Sequence, residues 1–261
     1  MSRFAVILPA AGRSSRFGDP KQKKVYAEIE GRAVWLRSAE HFVNRDDVVQ
    51  TIVVIAPEDR ELFERRYQAS VAFMNIKVVD GGAERYDSIA KALEVVDPTA
   101  DYIAIHDAAR PCLTNDQVDE VFKAAVEHGA ALLAVPVSDT LKRVNASKIV
   151  EETVSRRNLY QAQTPQVFRR DLILKGYANR AKLGDGVTDD SQLVEAIGHS
   201  CLVVESTALN LKITTLTDLR LATAILKSQP KPKQEGPAHP FADDHPTWEQ
   251  TPKVSARDLF S

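Results

Sequence analysis

The chain has 261 residues, 44% of them hydrophobic and 27% charged, with 34 lysines and arginines against 36 aspartates and glutamates for a net charge of -2. This length buries a full core as one domain, and the near-neutral balance excludes a global pull toward nucleic acid or an anionic membrane, so any affinity for phosphate has to be local. Two cysteines, Cys112 and Cys201, are too few for a disulfide framework or a cysteine metal site and suit a reducing compartment as packing residues.

Residues 4–8, Phe-Ala-Val-Ile-Leu, form an apolar run with the character of a strand buried on both faces. The run is too short for a signal peptide, and no stretch approaches the ~20 apolar residues of a membrane span, so a soluble cytoplasmic protein is expected. It opens onto Leu-Pro-Ala-Ala-Gly-Arg-Ser-Ser-Arg-Phe-Gly-Asp-Pro-Lys, residues 8–21. Ala10, Ala11 and Gly12 keep side chains out of the way so that backbone N–H groups can approach an anion, and Arg13, Arg16 and Lys21 bring charge to it. This is a phosphate loop of neither common kind. No Gly-Lys-Ser/Thr follows, and Ser14 and Ser15 stand where a dinucleotide fingerprint needs glycines.

Further buried strands are predicted over residues 51–56, 76–79, 102–105 and 131–135, with helices over 33–43, 58–69, 86–96 and 115–127; Thr114 and Gln117 make a capping box for the last helix. Strand and helix in alternation imply an α/β fold with a doubly wound, mostly parallel sheet, whose ligands bind at the carboxyl ends of the strands. Three strand ends carry unusual residues: the loop after residue 8, Asp80-Gly81-Gly82-Ala83-Glu84-Arg85, and His106-Asp107-Ala108-Ala109-Arg110-Pro111.

Residues 137–144, 149–154 and 159–167 are strand-like, with Asn145-Ala146-Ser147 as a turn between the first two. They read as a β-arm inserted over about 137–167, whose exposed edges suit pairing with another subunit. A helix over 171–179, Thr188-Asp189-Asp190 leading into a helix through 197, a strand over 202–205, the segment 210–214 and a helix over 217–226 complete a domain spanning 1–227. From Ser228 the composition turns to proline, charge and amide. Residues 228–261 are expected to be an extended tail without a core of its own, in which Phe241, Trp248, Leu259 and Phe260 could dock on the body.

Gly81-Gly82, Glu84-Arg85 and Ser88 form a turn into a helix N-terminus, suited to an anion or a nucleotide's polar edge. Asp107, at the end of a buried strand, needs a partner, which is either Arg110 or a divalent cation. His106 is expected to position rather than to act as a base, because an attacking phosphate monoester has a second pKa near ~6 and is already ionised at neutral pH. Lys142 and Arg143, Arg156 and Arg157, and Lys212 add cationic clusters that could converge on a second phosphate, which points to two phosphate-bearing substrates.

The motifs PAAGRSSRFGDPK, GGAERYDSIAKAL, IHDAARP, AVPVSDTLKRV, RNLYQAQTPQVF, TDDSQLVE and NLKITTLTDL, in this order and spacing between Phe4 and Leu226, closely resemble the 2-C-methyl-D-erythritol 4-phosphate cytidylyltransferase family. The resemblance implies a Rossmann-like nucleotidyltransferase fold and transfer of a cytidylyl group from CTP to methylerythritol phosphate, with magnesium or another divalent cation, in non-mevalonate isoprenoid synthesis. It assigns Arg16 and Lys21 to the pentacoordinate α-phosphate. Ala10, Ala11, Gly12, Gly82, Arg85, Ser88 and Ala108 match the CTP positions, and Asp107 the residue beside the metal and the substrate. Arg110, Thr140, Arg156, Thr164 and Lys212 match the positions that hold methylerythritol phosphate, Arg156 and Lys212 steering its phosphate. It also implies a homodimer whose arms complete each other's sites.

Three departures stand out. The segment between Arg16 and Lys21 is short, Ser14 or Ser15 replaces a usual glycine, and Lys23-Lys24 displaces the tyrosine expected after Pro-Lys-Gln. Two alternatives stay open: a cytidylyltransferase for a pentitol phosphate such as ribitol 5-phosphate, against which the Arg156 and Lys212 pair speaks, and a catalytically silent nucleotide-binding protein.

Overall fold

The computed structural model describes residues 1–18 and 22–229. The expectations placed on Lys21 and on the tail beyond residue 229 lie outside the described residues.

The first strand, β1 (Phe4–Pro9), leads into the loop that carries Arg13 and Arg16. The chain then makes a 3-10 turn over Lys24–Tyr26 and a short hairpin of β2 (Glu28–Ile29) and β3 (Arg32–Ala33). Glu30 and Gly31, with φ of 50° and 73°, form its two-residue turn, the left-handed pair that matches hairpin twist. Next come α1 (Val34–Glu40), β4 (Val48–Ile55), α2 (Arg60–Phe73), β5 (Ile76–Asp80), α3 (Arg85–Leu93), β6 (Tyr102–Ile105), α4 (Asn115–His128) and β7 (Ala130–Pro136). The capping box of α4 is present: Thr114 Oγ1 accepts from Gln117 N–H and the Gln117 side chain accepts from Thr114 N–H. Gly129, at φ 82°, then turns the chain out of the helix.

After β7 the chain forms β8 (Leu141–Val144) and β9 (Val150–Val154), then β10 (Tyr160–Arg169), α5 (Arg170–Ala178), α6 (Ser191–Glu195), β11 (Leu202–Glu205) and α7 (Leu216–Ser228). The main sheet has the order β11-β7-β10-β6-β1-β4-β5, parallel throughout except for β10. Both faces are covered. Phe4, Val6 and Leu8 point into a core with Trp35 of α1, Phe63 of α2 and Phe122 of α4; Ala5 and Ile7 point into a second core with Ile89 of α3 and Ile173 of α5. The unbroken apolar run of β1 has this cause, since neither set of alternating side chains meets water.

The expected arm over 137–167 is corrected by the sheet. Only β8 and β9 pair as a separate two-stranded ribbon, with Asn145 Oδ1 accepting from the N–H groups of Ser147 and Ile149 at its turn. β10 lies in the main sheet, antiparallel between β6 and β7. Buried side chains from Thr164 to Phe168 explain the placement, because an arm exposed on both faces would leave them in water. Pro165, which has no N–H to give a ladder, sits where the β10–β7 register shifts between Ala162 and Gln166. Among the described residues no helix is long and apolar enough to cross a membrane.

Candidate active site

β4 and β6 lie on opposite sides of β1, so the chain reverses its direction of winding there and leaves a crevice at the carboxyl ends. A cleft of about 690 Å3 occupies it, lined by the β1 loop, by Gly81–Ser88 at the start of α3, and by Asp107 and Lys212. Five cations, Arg13, Lys24, Arg85, Lys91 and Lys212, face three carboxylates, Glu58, Glu84 and Asp107. The excess favours a polyanion in a chain whose net charge is slightly negative.

The β1 loop behaves as its composition suggests. Ala10 N–H donates to Val54 O, while among the described residues none accepts from the N–H groups of Ala11 or Gly12. Nothing lies within 4 Å of where a Gly12 Cβ would stand, so that space is open to a ligand. Ser14, at φ 56°, turns the loop, and its Oγ accepts from Lys24 N–H at 3.2 Å, tying the loop's entry to its exit. A clasp secures that exit to the body: Lys23 Nζ pairs with Asp59 at 2.7 Å and Glu58 at 3.1 Å, and Tyr26 OH donates to Asp59 at 3.0 Å.

Gly81 and Gly82 are needed for packing as well as for the turn. A Cβ on Gly81 would meet Ala11 and Ser88 at 2.8 Å, and one on Gly82 would meet Asp87 Cβ at 2.4 Å. Ser88, assigned to CTP by resemblance, spends its hydroxyl inside the protein, accepting from Gly82 N–H and donating to Glu84 O. Lys91 Nζ donates to Gly81 O at 2.8 Å and pins the turn from below.

Asp107 is the electrostatic centre. Its Oδ2 lies 2.8 Å from Lys212 Nζ and 3.7 Å from Arg110 Nε, and its Oδ1 lies 3.6 Å from Arg85 Nε. Burial alone would raise its pKa, but these three cations outweigh burial and hold the carboxyl well below the usual range, so Asp107 is ionised at neutral pH. His106 behind it is fully buried, and burial pushes its pKa down to about 3. The ring is neutral, and its partners assign the tautomer: Nε2–H donates to Arg110 O at 3.1 Å, which leaves Nδ1 to accept from the Thr164 hydroxyl at 3.2 Å. Thr164 Oγ1 in turn accepts from Asp107 N–H at 3.0 Å. His106 and Thr164 therefore hold the Asp107 backbone in place.

Ala10, Ala11, Gly12, Gly82, Arg85, Ser88, Asp107 and Lys212 thus meet in one cleft. Ala108, Arg110 and Thr164 stand behind its wall. Ala108 O accepts from Ser38 Oγ, and Arg110 Nη1 donates to Asn210 O at 2.6 Å. Asn210, fully buried, bonds Gln163 and Thr164 O, which fixes the segment bearing Lys212 against β10. Arg16 is exposed near Lys24, and Thr140 and Arg156 are exposed at the ends of the β8–β9 ribbon and do not line this cleft. Lys142 and Arg143 are used across the ribbon, on Thr153 and Glu152. Both cysteine thiols are pushed up to about 12 by burial, in keeping with packing roles.

Sequence reasoning missed Lys24. Its ammonium lines the cleft, and burial, then the nearby Lys212 and Arg16, lower its pKa to about 8 against the opposing pull of Asp107. A signal existed: Lys24 is the last residue before the apolar Val25-Tyr26-Ala27, all three buried, so it marks the point where the loop re-enters the body.

A doubly wound sheet with a small-residue loop, a helix N-terminus and a ring of cations at its switch point defines a nucleotidyltransferase. The chain belongs to the 2-C-methyl-D-erythritol 4-phosphate cytidylyltransferase family, whose model matches residues 4–228. It is 42% identical over 233 residues to the 2-C-methyl-D-erythritol 4-phosphate cytidylyltransferase of Rhodopirellula baltica, covering 85% of this chain and 94% of that protein. The corresponding Bacillus cytotoxicus protein is 38% identical, at 87% and 99% coverage. The crystal structure of 4-diphosphocytidyl-2C-methyl-D-erythritol synthase from Anaerococcus prevotii superposes with a TM-score of 0.73 at 28% identity, covering 87% of this chain and 96% of that one.

Proposed function

We propose that the protein transfers a cytidylyl group from CTP to 2-C-methyl-D-erythritol 4-phosphate, in non-mevalonate isoprenoid precursor synthesis. The observation that carries this reading is the family match over residues 4–228. A phosphate oxygen of the acceptor attacks the α-phosphorus of CTP in line; the new P–O bond forms as the bond to the β-phosphate bridging oxygen breaks and pyrophosphate leaves. The acceptor is already ionised, so no side chain has to take its proton. The backbone N–H groups of Ala11 and Gly12 receive the triphosphate, and Gly82, Arg85 and Ser88 shape the nucleotide wall.

Arg16 and Lys21 stabilise charge on the α-phosphate as it becomes pentacoordinate. Lys21 keeps the part that the resemblance gives it, and Lys24 adds a further cation to the cleft, beside Lys212 and Asp107. Lys212 holds the acceptor's phosphate on one side, and Thr140 and Arg156 of a second copy hold it on the other. The exposed Val144, Ile149, Val150, Leu159 and Tyr160, on and next to the ribbon, supply apolar surface for such a homodimer.

Magnesium fits this donor set in company with the nucleotide. Among the described residues no group of three metal-ligating side chains occurs, and Mg2+ is commonly held by one or two carboxylates together with substrate phosphates. Asp107 would hold it, and it would neutralise charge on the triphosphate. The charged, water-soluble substrates suit a cytoplasmic enzyme.

The test is pyrophosphate release from CTP and magnesium with methylerythritol phosphate, run beside ribitol 5-phosphate. Turnover is expected with the first acceptor and its loss on chelation of the metal. Turnover with ribitol 5-phosphate alone overturns the reading.

A further inference from the structure

The Thr188-Asp189-Asp190 motif has no part in the reaction so far, yet it carries a carboxylate that is 1% exposed. Asp190 Oδ1 accepts from Tyr177 OH at 2.7 Å, and Asp190 N–H donates to Gln166 Oε1 at 3.1 Å. Gln166 also takes Ser191 N–H on the same oxygen and donates its amide to Asp189 Oδ2. The Asp190 backbone is therefore fixed from β10 and its carboxylate from α5. Its Oδ2 faces Arg85 Nη2 at 2.7 Å. The two form a charge pair rather than an aligned hydrogen bond, since Oδ2 has no aligned donor.

Arg85 thus stands between two carboxylates at unequal distances, 2.7 Å from Asp190 and 3.6 Å from Asp107. The nearer one holds the guanidinium; the farther one lies beyond hydrogen-bond reach. We propose that Asp190, braced by Tyr177, is a positioning residue that keeps Arg85 against the cleft wall and so leaves Asp107 Oδ1 open to the substrates. This deepens the function proposed above and rests on it. The reason is electrostatic. With Asp190 neutral, Asp107 becomes the partner left to Arg85 in this group, and a guanidinium and a carboxylate prefer a bidentate pair. That pair would close over Oδ1 and compete with ligand.

The test combines Asp190→Asn, Arg85→Gln and the double variant, read by steady-state kinetics on methylerythritol phosphate and by thermal unfolding without ligand. Asp190→Asn keeps shape and the Tyr177 contact but removes the charge. It is expected to raise KM for the acceptor about tenfold or more, on the scale of a lost charged hydrogen bond, with kcat changed much less. In the Arg85→Gln background the same change is expected to leave KM nearly unaltered and to raise the melting temperature, because there Asp190 is a buried charge without its cationic partner. Tyr177→Phe, which loosens Asp190 without removing charge, is expected to raise acceptor KM by a smaller factor.

An acceptor KM unchanged by Asp190→Asn, or raised equally in both backgrounds, overturns the proposal. If the wild-type enzyme does not turn over this acceptor, the functional reading fails instead. The unfolding cycle still judges the Asp190–Arg85 pair, because it needs no substrate.

Discussion

Lys24 combines two properties that pull against each other, a cationic role and a pKa lowered to about 8. An incoming triphosphate favours the charged form and raises that pKa, so nucleotide binding takes up protons around pH 8. CTP affinity is then full below pH 8 and falls as pH rises through it. Titration calorimetry from pH 7 to 9.5 measures this, and Lys24→Arg, charged throughout, should remove the dependence. Lys21→Ala is expected to lower kcat by ~10²-fold or more while CTP binding stays measurable. Unchanged turnover in Lys21→Ala would remove Lys21 from the mechanism.

His106 gives the second residue-scale expectation. Its folded pKa of about 3 lies below the ordinary 6.5, so between these values the unfolded chain binds a proton that the native ring does not. Stability is complete above pH 6.5 and is lost as pH falls, by up to about 1.4 kcal/mol per pH unit. Half-buried His41, whose pKa desolvation also lowers, adds to the loss, as does Asp107 below about pH 4. Melting curves across pH 4–7 should be flatter for His106→Asn than for wild type. Parallel curves would contradict the neutral ring.

Among the elements, the turn over Lys24–Tyr26 depends on the clasp of Lys23, Asp59 and Tyr26. Asp59→Ala leaves the Tyr26 hydroxyl and Lys23 without their acceptor and is expected to cost about 1–3 kcal/mol by denaturant unfolding. It should also lower kcat, because Lys24 is carried on that turn. An unfolding curve and kcat both equal to wild type would remove the clasp from the account. The α3 turn is less forgiving: a Gly82→Ala methyl would overlap Asp87, whose carboxylate accepts from Glu84 N–H at the helix start.

For the whole molecule, the proposed exchange of arms has a quantitative consequence. Arg156→Ala and Lys212→Ala homodimers should each be nearly inactive. After dissociation and mixing in equal amounts they should regain about a quarter of wild-type activity, because half of randomly assorted dimers are mixed and each then carries one intact site. No recovery, with mixed dimers demonstrated by mass, would place Arg156 and Lys212 in the same chain's site.

The doubly wound sheet could be read from the sequence because strands buried on both faces appear as continuous valine and isoleucine runs, as in β1, β4 and β6. The three strand-end loops were legible because glycine, arginine and aspartate are unusual next to such runs. Long-range pairing has no local signature. It put β10 into the sheet rather than the arm, and it set Asp190 against Arg85, residues 105 positions apart in the chain. Lys24 belongs with these, since a surface lysine and a cleft lysine look alike until the fold closes around one. The sequence alone determined which strand ends line the cleft. Tertiary structure decided which charges at those ends are buried together, because a pKa or an ion pair depends on distance and dielectric, which exist only in the folded chain.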